Sequence, residues 1–146
     1  MQSNRFPRRI LLVEDDSADA DLARCALAET GISTTVDRVA DGVGCMNHLN
    51  EALAGAHPLP RLIFLDLNMP RMDGREVLRR IRATHHFNRV PIVVLTTSTA
   101  LKDIDVSYDL GANSFISKPL DFDAFVGKMR AVLTYWFEIA SLPDPI

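Results

Sequence analysis

The sequence is poor in the features that mark secreted, membrane-spanning or nucleic-acid-bound chains. Among 146 residues there are two cysteines, Cys25 and Cys45, both in segments of helical pattern. That argues against a disulfide framework and for two free thiols in a reducing compartment. No apolar run approaches the ~20 residues that span a bilayer. Residues 1–9 carry Arg8 and Arg9 but no apolar stretch of the kind a secretory leader needs. A cytoplasmic protein with no membrane contact is expected. Charge of one sign is also lacking: 16 basic against 19 acidic residues leave a net charge of −3, which argues against a dedicated nucleic-acid surface. There is no repeat, low-complexity tract or linker.

What is present is alternation. The chain is of single-domain length, with 47% hydrophobic and 24% charged residues. Short apolar runs at 9–13, 62–66 and 91–95 read as strands buried on both faces. Weaker strands are expected at 34–39, an alternating edge segment, and at 114–116. Helical patterns fall between them. Ser17 is placed to cap a helix over 17–29 that stops at Gly31, with Leu22, Cys25 and Ala26 on one face. Asp41-Gly42 opens a second helix with Val43, Met46, Leu49 and Leu53 on one side. A third carries Val77, Leu78 and Ile81, and a fourth, 101–110, stops at Gly111. The last spans 121–140, with Phe122, Phe125, Val126, Met129, Val132, Leu133 and Trp136 at helical spacing. Strands alternating with helices predict an α/β, doubly wound parallel sheet covered on both faces. Ligands of such sheets bind at the carboxyl ends of the strands, where strand order reverses.

The polar residues collect at those ends. The first strand runs into Glu14-Asp15-Asp16 and the third into Asp66, followed by Leu67-Asn68-Met69-Pro70. Carboxylates brought to one edge repel unless a cation or a proton joins them, and hard oxygen donors suit Mg²⁺ or Mn²⁺. The triplet alone could equally cap the next helix. The fourth strand ends in Thr96-Thr97-Ser98, hydroxyls suited to a phosphoryl oxygen or to capping. The fifth ends in Ser117-Lys118-Pro119, where an ammonium can neutralise an anion and the Lys118-Pro119 bond could be cis. Metal-binding acids, a carboxylate nucleophile, a hydroxyl and an ammonium make a complete set for accepting a phosphoryl group.

With those residues in view, the sequence resembles the receiver domains of two-component response regulators. The resemblance is carried by Ile10-Leu11-Leu12-Val13-Glu14-Asp15-Asp16, by Leu65-Asp66-Leu67-Asn68-Met69-Pro70-Arg71-Met72-Asp73-Gly74, by Thr96, and by Lys118-Pro119. It implies a (βα)5 flavodoxin-like sandwich with a five-stranded parallel sheet of order 2-1-3-4-5. Residues 1–7 would be an N-terminal extension, 8–140 the receiver domain and 141–146 a C-terminal tail. Asp66 would be the phosphoacceptor. Asp15 and Asp66 would bind Mg²⁺ (or Mn²⁺) through carboxylates, Asn68 through its backbone carbonyl and Glu14 through water. Thr96 would be the switch hydroxyl, Lys118 the phosphoryl-contacting lysine, and Phe115 the aromatic switch residue. The donor would be a sensor histidine kinase. The signal would leave by protein contact rather than by enzymatic turnover.

A narrower resemblance joins Val94-Leu95-Thr96-Thr97-Ser98, the stretch 107–113, and Tyr135-Trp136-Phe137 with Leu142-Pro143. These are similar to stand-alone regulators that work with bacterial phytochromes, which implies a homodimer through the last helix and the C-terminal aromatics. On spacing, Trp136 continues the core face of that helix, while Tyr135, Phe137 and Ile139 point elsewhere and need a cover. Two other readings use the same acids. One is an aspartyl-phosphate phosphohydrolase, whose class wants a second aspartate where Asn68 stands. The other is a relay intermediate that passes the phosphoryl group to a histidine phosphotransfer protein.

Overall fold

A computed structural model describes residues 7–144. The expected N-terminal extension therefore lies outside the described residues except for Pro7, as do positions 145 and 146 of the tail. Five strands, β1 (Arg9–Val13), β2 (Thr35–Val39), β3 (Leu62–Leu65), β4 (Ile92–Thr96) and β5 (Ser114–Ser117), alternate with α1 (Ser17–Glu29), α2 (Gly42–Leu53), α3 (Gly74–Ala83), α4 (Leu101–Asp109) and α5 (Phe122–Thr134). The strands form one parallel sheet in the order β2-β1-β3-β4-β5. The continuous apolar runs have a direct structural cause. Alternate side chains of one strand enter opposite layers, so a strand covered on both sides must be apolar throughout. Ile10, Leu12, Leu62, Phe64, Val93 and Leu95 pack under α1 and α5. Leu11, Val13, Ile63, Leu65, Ile92 and Val94 pack under α2 and α3. All of these strand residues are buried.

The helix faces differ from the sequence expectation in three places. In α1 the buried residues are Ala20, Ala23, Ala26 and Leu27, while Leu22 and Cys25 are exposed. In α2 they are Gly42, Cys45, Leu49 and Ala52, and Val43 and Leu53 are largely outside. Small side chains let these helices lie close to the sheet, and the larger ones are left on the flanks. Burial also pushes the Cys45 thiol up to about 12, so it is unreactive. At the C-terminus α5 passes into a π-helical turn, Tyr135–Ile139, closed by the Ala140 amide donating to the Tyr135 carbonyl at 2.6 Å. The wider turn carries Phe137 into the core (2% exposed), leaves Trp136 half-buried at the edge of the same cluster, and leaves Tyr135 and Ile139 outside.

One helix start is also corrected. The cap of α1 is Asp16, whose carboxylate accepts the Asp19 amide at 2.9 Å; Ser17 is already helical. Asp41, Asp73 and Asp121 cap α2, α3 and α5 in the same way. Gly31 and Gly111, where helices were expected to stop, have φ of 76° and 103°. The Lys118-Pro119 bond is trans.

Candidate functional site

Three of the predicted polar residues are set by backbone bonds across the carboxyl edge of the sheet. The Glu14 amide donates to the Val39 carbonyl (3.1 Å), the Asp66 amide to Val13 (3.0 Å), and the Lys118 amide to Thr96 (2.7 Å). These bonds prolong the ladders by one step, so the residue just past each strand is aimed by its neighbour. Thr96 is the last residue of β4, opposite Ser117 of β5, and is buried.

Carboxylate oxygens of Glu14, Asp15 and Asp66 come within 4.8 Å of one another. Glu14 is buried (3% exposed), Asp66 half-buried and Asp15 open to solvent. Lys118 Nζ donates to Glu14 Oε1 at 2.5 Å and lies 3.9 Å from Asp19. Burial pushes the Glu14 carboxyl up to about 7, with Lys118 opposing and the Asp66 charge adding to the rise. Burial raises Asp66 too, against the Asn68 amide and Lys118, and the nearby Asp15 charge adds to it. Two carboxyls that resist ionisation beside a third are what a divalent cation would relieve. Three hard oxygen donors with one side open to water fit Mg²⁺ or Mn²⁺, which keeps several waters. Asn68 is exposed and its amide donates to Asp66 Oδ1 at 3.4 Å. Phe115, half-buried on β5, packs against the α2–α3 layer.

The raised Glu14 carboxyl has a pH consequence. A carboxyl that titrates at 4.5 when unfolded and near 7 when folded binds more protons in the folded state across that window. The contribution of Glu14 to the stability of the metal-free fold therefore falls as pH rises from 4.5 to 7. A cation must displace that proton, so its affinity grows over the same range. The rise in melting temperature on adding Mg²⁺ is expected to increase from pH 5 to pH 8 and then level off. A Mg²⁺ effect constant across that range would contradict this.

Several residues outside the acidic cluster support it. Arg38 on β2 donates from Nε to the Glu14 carbonyl (3.0 Å) and from a terminal nitrogen to the Asp15 carbonyl (3.1 Å), bracing the acidic loop. Arg71, at a left-handed φ of 66°, pairs with Asp41 and ties the β3–α3 loop to the cap of α2. A Cβ on Gly74 would lie 2.3 Å from the Asp66 carbonyl oxygen, so only glycine lets α3 start against the backbone beside Asp66.

An acidic, lysine-bearing cleft at the reversal point of a 2-1-3-4-5 sheet places the protein in a class: flavodoxin-like α/β domains that carry their site at the carboxyl ends of the strands. Sequence comparison names the family within it. The response regulator receiver domain matches residues 10–130, and the chain belongs to that family. It acts in phosphorelay signalling. Response regulator Rcp1 of Synechocystis sp. is 36% identical over 94% of this chain and 94% of its own length. A probable methanogenesis regulatory protein, FilR2 of Methanothrix harundinacea, is 35% identical over 95% of this chain and 90% of its own. The crystal structure of the phosphorylated cyanobacterial phytochrome response regulator RcpA superposes with a TM-score of 0.86 at 38% identity, covering 95% of this chain and all of that one. Rcp1 itself has been solved in a Mn²⁺-bound form. No described helix is long and apolar enough to cross a membrane.

Proposed function

We propose that Asp66 accepts a phosphoryl group from a phosphohistidine of a sensor kinase. The observation that carries this is the convergence of Glu14, Asp15 and Asp66 on one edge with Lys118 among them. An Asp66 oxygen attacks phosphorus, the P–N bond breaks, and its electron pair stays on the imidazole nitrogen. The product is an acyl phosphate. A bound divalent cation supplies charge neutralisation at the phosphoryl oxygens. Asp15, Asp66 and the Asn68 carbonyl would hold it directly, and Glu14 through water. Lys118 leaves Glu14 for a phosphoryl oxygen, and Thr96 donates its hydroxyl to another. Phe115 then repacks, and the signal passes to protein partners through the surface of α4, β5 and α5. The role is that of a switch, with self-phosphorylation and dephosphorylation as its only chemistry. The test is phosphoryl uptake from a small donor with Mg²⁺, read by intact mass.

The kinase we favour is of the phytochrome type, since RcpA is described as a phytochrome response regulator. We also propose a homodimer through the π-helical turn. Phe137 is spent on the core, which leaves Tyr135 (50% exposed) and Ile139 (68% exposed), flanked by Trp136, as the face that a second copy would cover. Light scattering at micromolar concentration is expected to give twice the monomer mass, and Ile139→Glu to halve it. A monomer for the unmodified chain would end this reading.

A further inference from the structure

Helix α4 buries the fewest residues of the five α-helices. Among the described residues, Ser107 is its one fully buried residue, and no side chain caps its start at Ala100. Leu101 faces outward, and the half-exposed Tyr108 ties only the far end of the helix, its hydroxyl accepting the Phe115 amide of β5 at 3.2 Å. The side-chain ties at the Ala100 end converge on Asp103. One carboxylate oxygen accepts the Arg75 guanidinium at 2.7 Å and the other the Ser98 hydroxyl at 2.6 Å. The same two partners, Ser98 first, hold the Asp103 carboxyl below its usual range.

Both partners lead back to the phosphoacceptor edge. Arg75 follows Gly74, which abuts the backbone of Asp66 and Leu67. Ser98 follows Thr96 by two residues. Its amide donates to Thr96 Oγ1 (3.3 Å), its Oγ accepts the Ala100 amide (3.2 Å), and its carbonyl accepts the Ser117 hydroxyl beside Lys118 (2.8 Å). One route runs through the β3–α3 loop and the other through the β4–α4 loop, and they meet on a single carboxylate of α4.

We infer that Asp103 is a positioning residue that latches α4 and the β4–α4 loop in the resting arrangement, and that the latch opens when Thr96 is drawn to a phosphoryl group on Asp66. The inference rests on the phosphoacceptor reading above. Thr96 is buried, so its hydroxyl cannot turn towards Asp66 without disturbing the Ser98 amide that it accepts. Once Ser98 moves, Asp103 keeps only Arg75, and a partly exposed ion pair alone holds a helix weakly. The element held this lightly is the one that a local event can release. By linkage, weakening the latch in the resting protein raises the fraction already competent for phosphorylation.

The test compares Asp103→Asn, Ser98→Ala and the double variant with the unmodified protein. Initial rates of phosphoryl uptake from a small acyl phosphate with Mg²⁺ are read by intact mass, and exchange of the α4 amides by mass spectrometry. Each single variant is expected to take up phosphoryl about three- to tenfold faster, with faster α4 exchange before phosphorylation. The double variant should gain no more than the faster single one, because both open the same latch. A purely structural Asp103 would lower the melting temperature and leave uptake unchanged or slower, and that result overturns the inference. No uptake by the unmodified protein would overturn the phosphoacceptor reading and the latch with it. Normal uptake with unchanged variant rates overturns the latch alone.

Discussion

Asp66→Asn is expected to abolish phosphoryl uptake. With a small phosphodonor and Mg²⁺, the unmodified chain should gain the mass of one phosphoryl group and the variant none. The carboxamide has nearly the same shape but is not a nucleophile of comparable strength, so the attacking oxygen is lost while the fold is kept. Stability should not fall. Burial and the Asp15 charge already raise the Asp66 carboxyl, and the Asp66 charge contributes to the rise at Glu14. Removing the charge relieves that repulsion, and the metal-free variant should melt at or above the temperature of the unmodified chain at pH 7.5. A mass gain in the variant would move the acceptor to another residue. No gain in the unmodified chain would refute the assignment.

Much of this site was legible because its geometry follows from strand ends. A run such as Leu62–Leu65 has to be a strand buried on both faces, and a polar residue that directly follows has to emerge at the edge of the sheet. Asp66, Glu14 and Thr96 obey this, while Lys118 follows a short, half-buried strand. Less legible was which apolar residue a helix turns inward. Leu22 and Val43 look like core residues by hydropathy, but the spacing between helix and sheet favours Ala23 and Cys45. Helical spacing after Leu133 selects Trp136 for the core, and a π-helical turn that leaves no trace in composition puts Phe137 there instead. The exact long-range polar pairs were not legible. Arg38 holds a loop 24 residues away, and Lys118 pairs with Glu14 across 104 positions. The Asp103 junction joins three elements whose sequence shows only an ordinary helical acid.

The Lys118–Glu14 pair leads to the second large effect. Lys118→Ala is expected to slow phosphoryl uptake about 100-fold, the scale on which a preorganised charge at a developing anion matters. It should also expose how Glu14 is tolerated. Oε1 of this buried carboxylate has Lys118, while Oε2 accepts only a long bond from the Asp16 amide at 3.3 Å. Without the ammonium, the carboxyl rises further above its present value near 7 and takes up a proton on folding. Breaking a buried pair by removing one partner costs about 3 kcal/mol, and here the cost should grow with pH, because the proton becomes harder to supply. A divalent cation can replace the lost positive charge, so millimolar Mg²⁺ should restore most of the melting temperature and little of the uptake rate. Lys118→Arg keeps a charge near Glu14 and should recover stability without Mg²⁺, but its broad planar head should not recover the rate. Uptake by Lys118→Ala within twofold of the unmodified chain would show that Lys118 serves only to neutralise Glu14. A variant that stays destabilised in Mg²⁺ would show that the cation does not reach the acidic cluster.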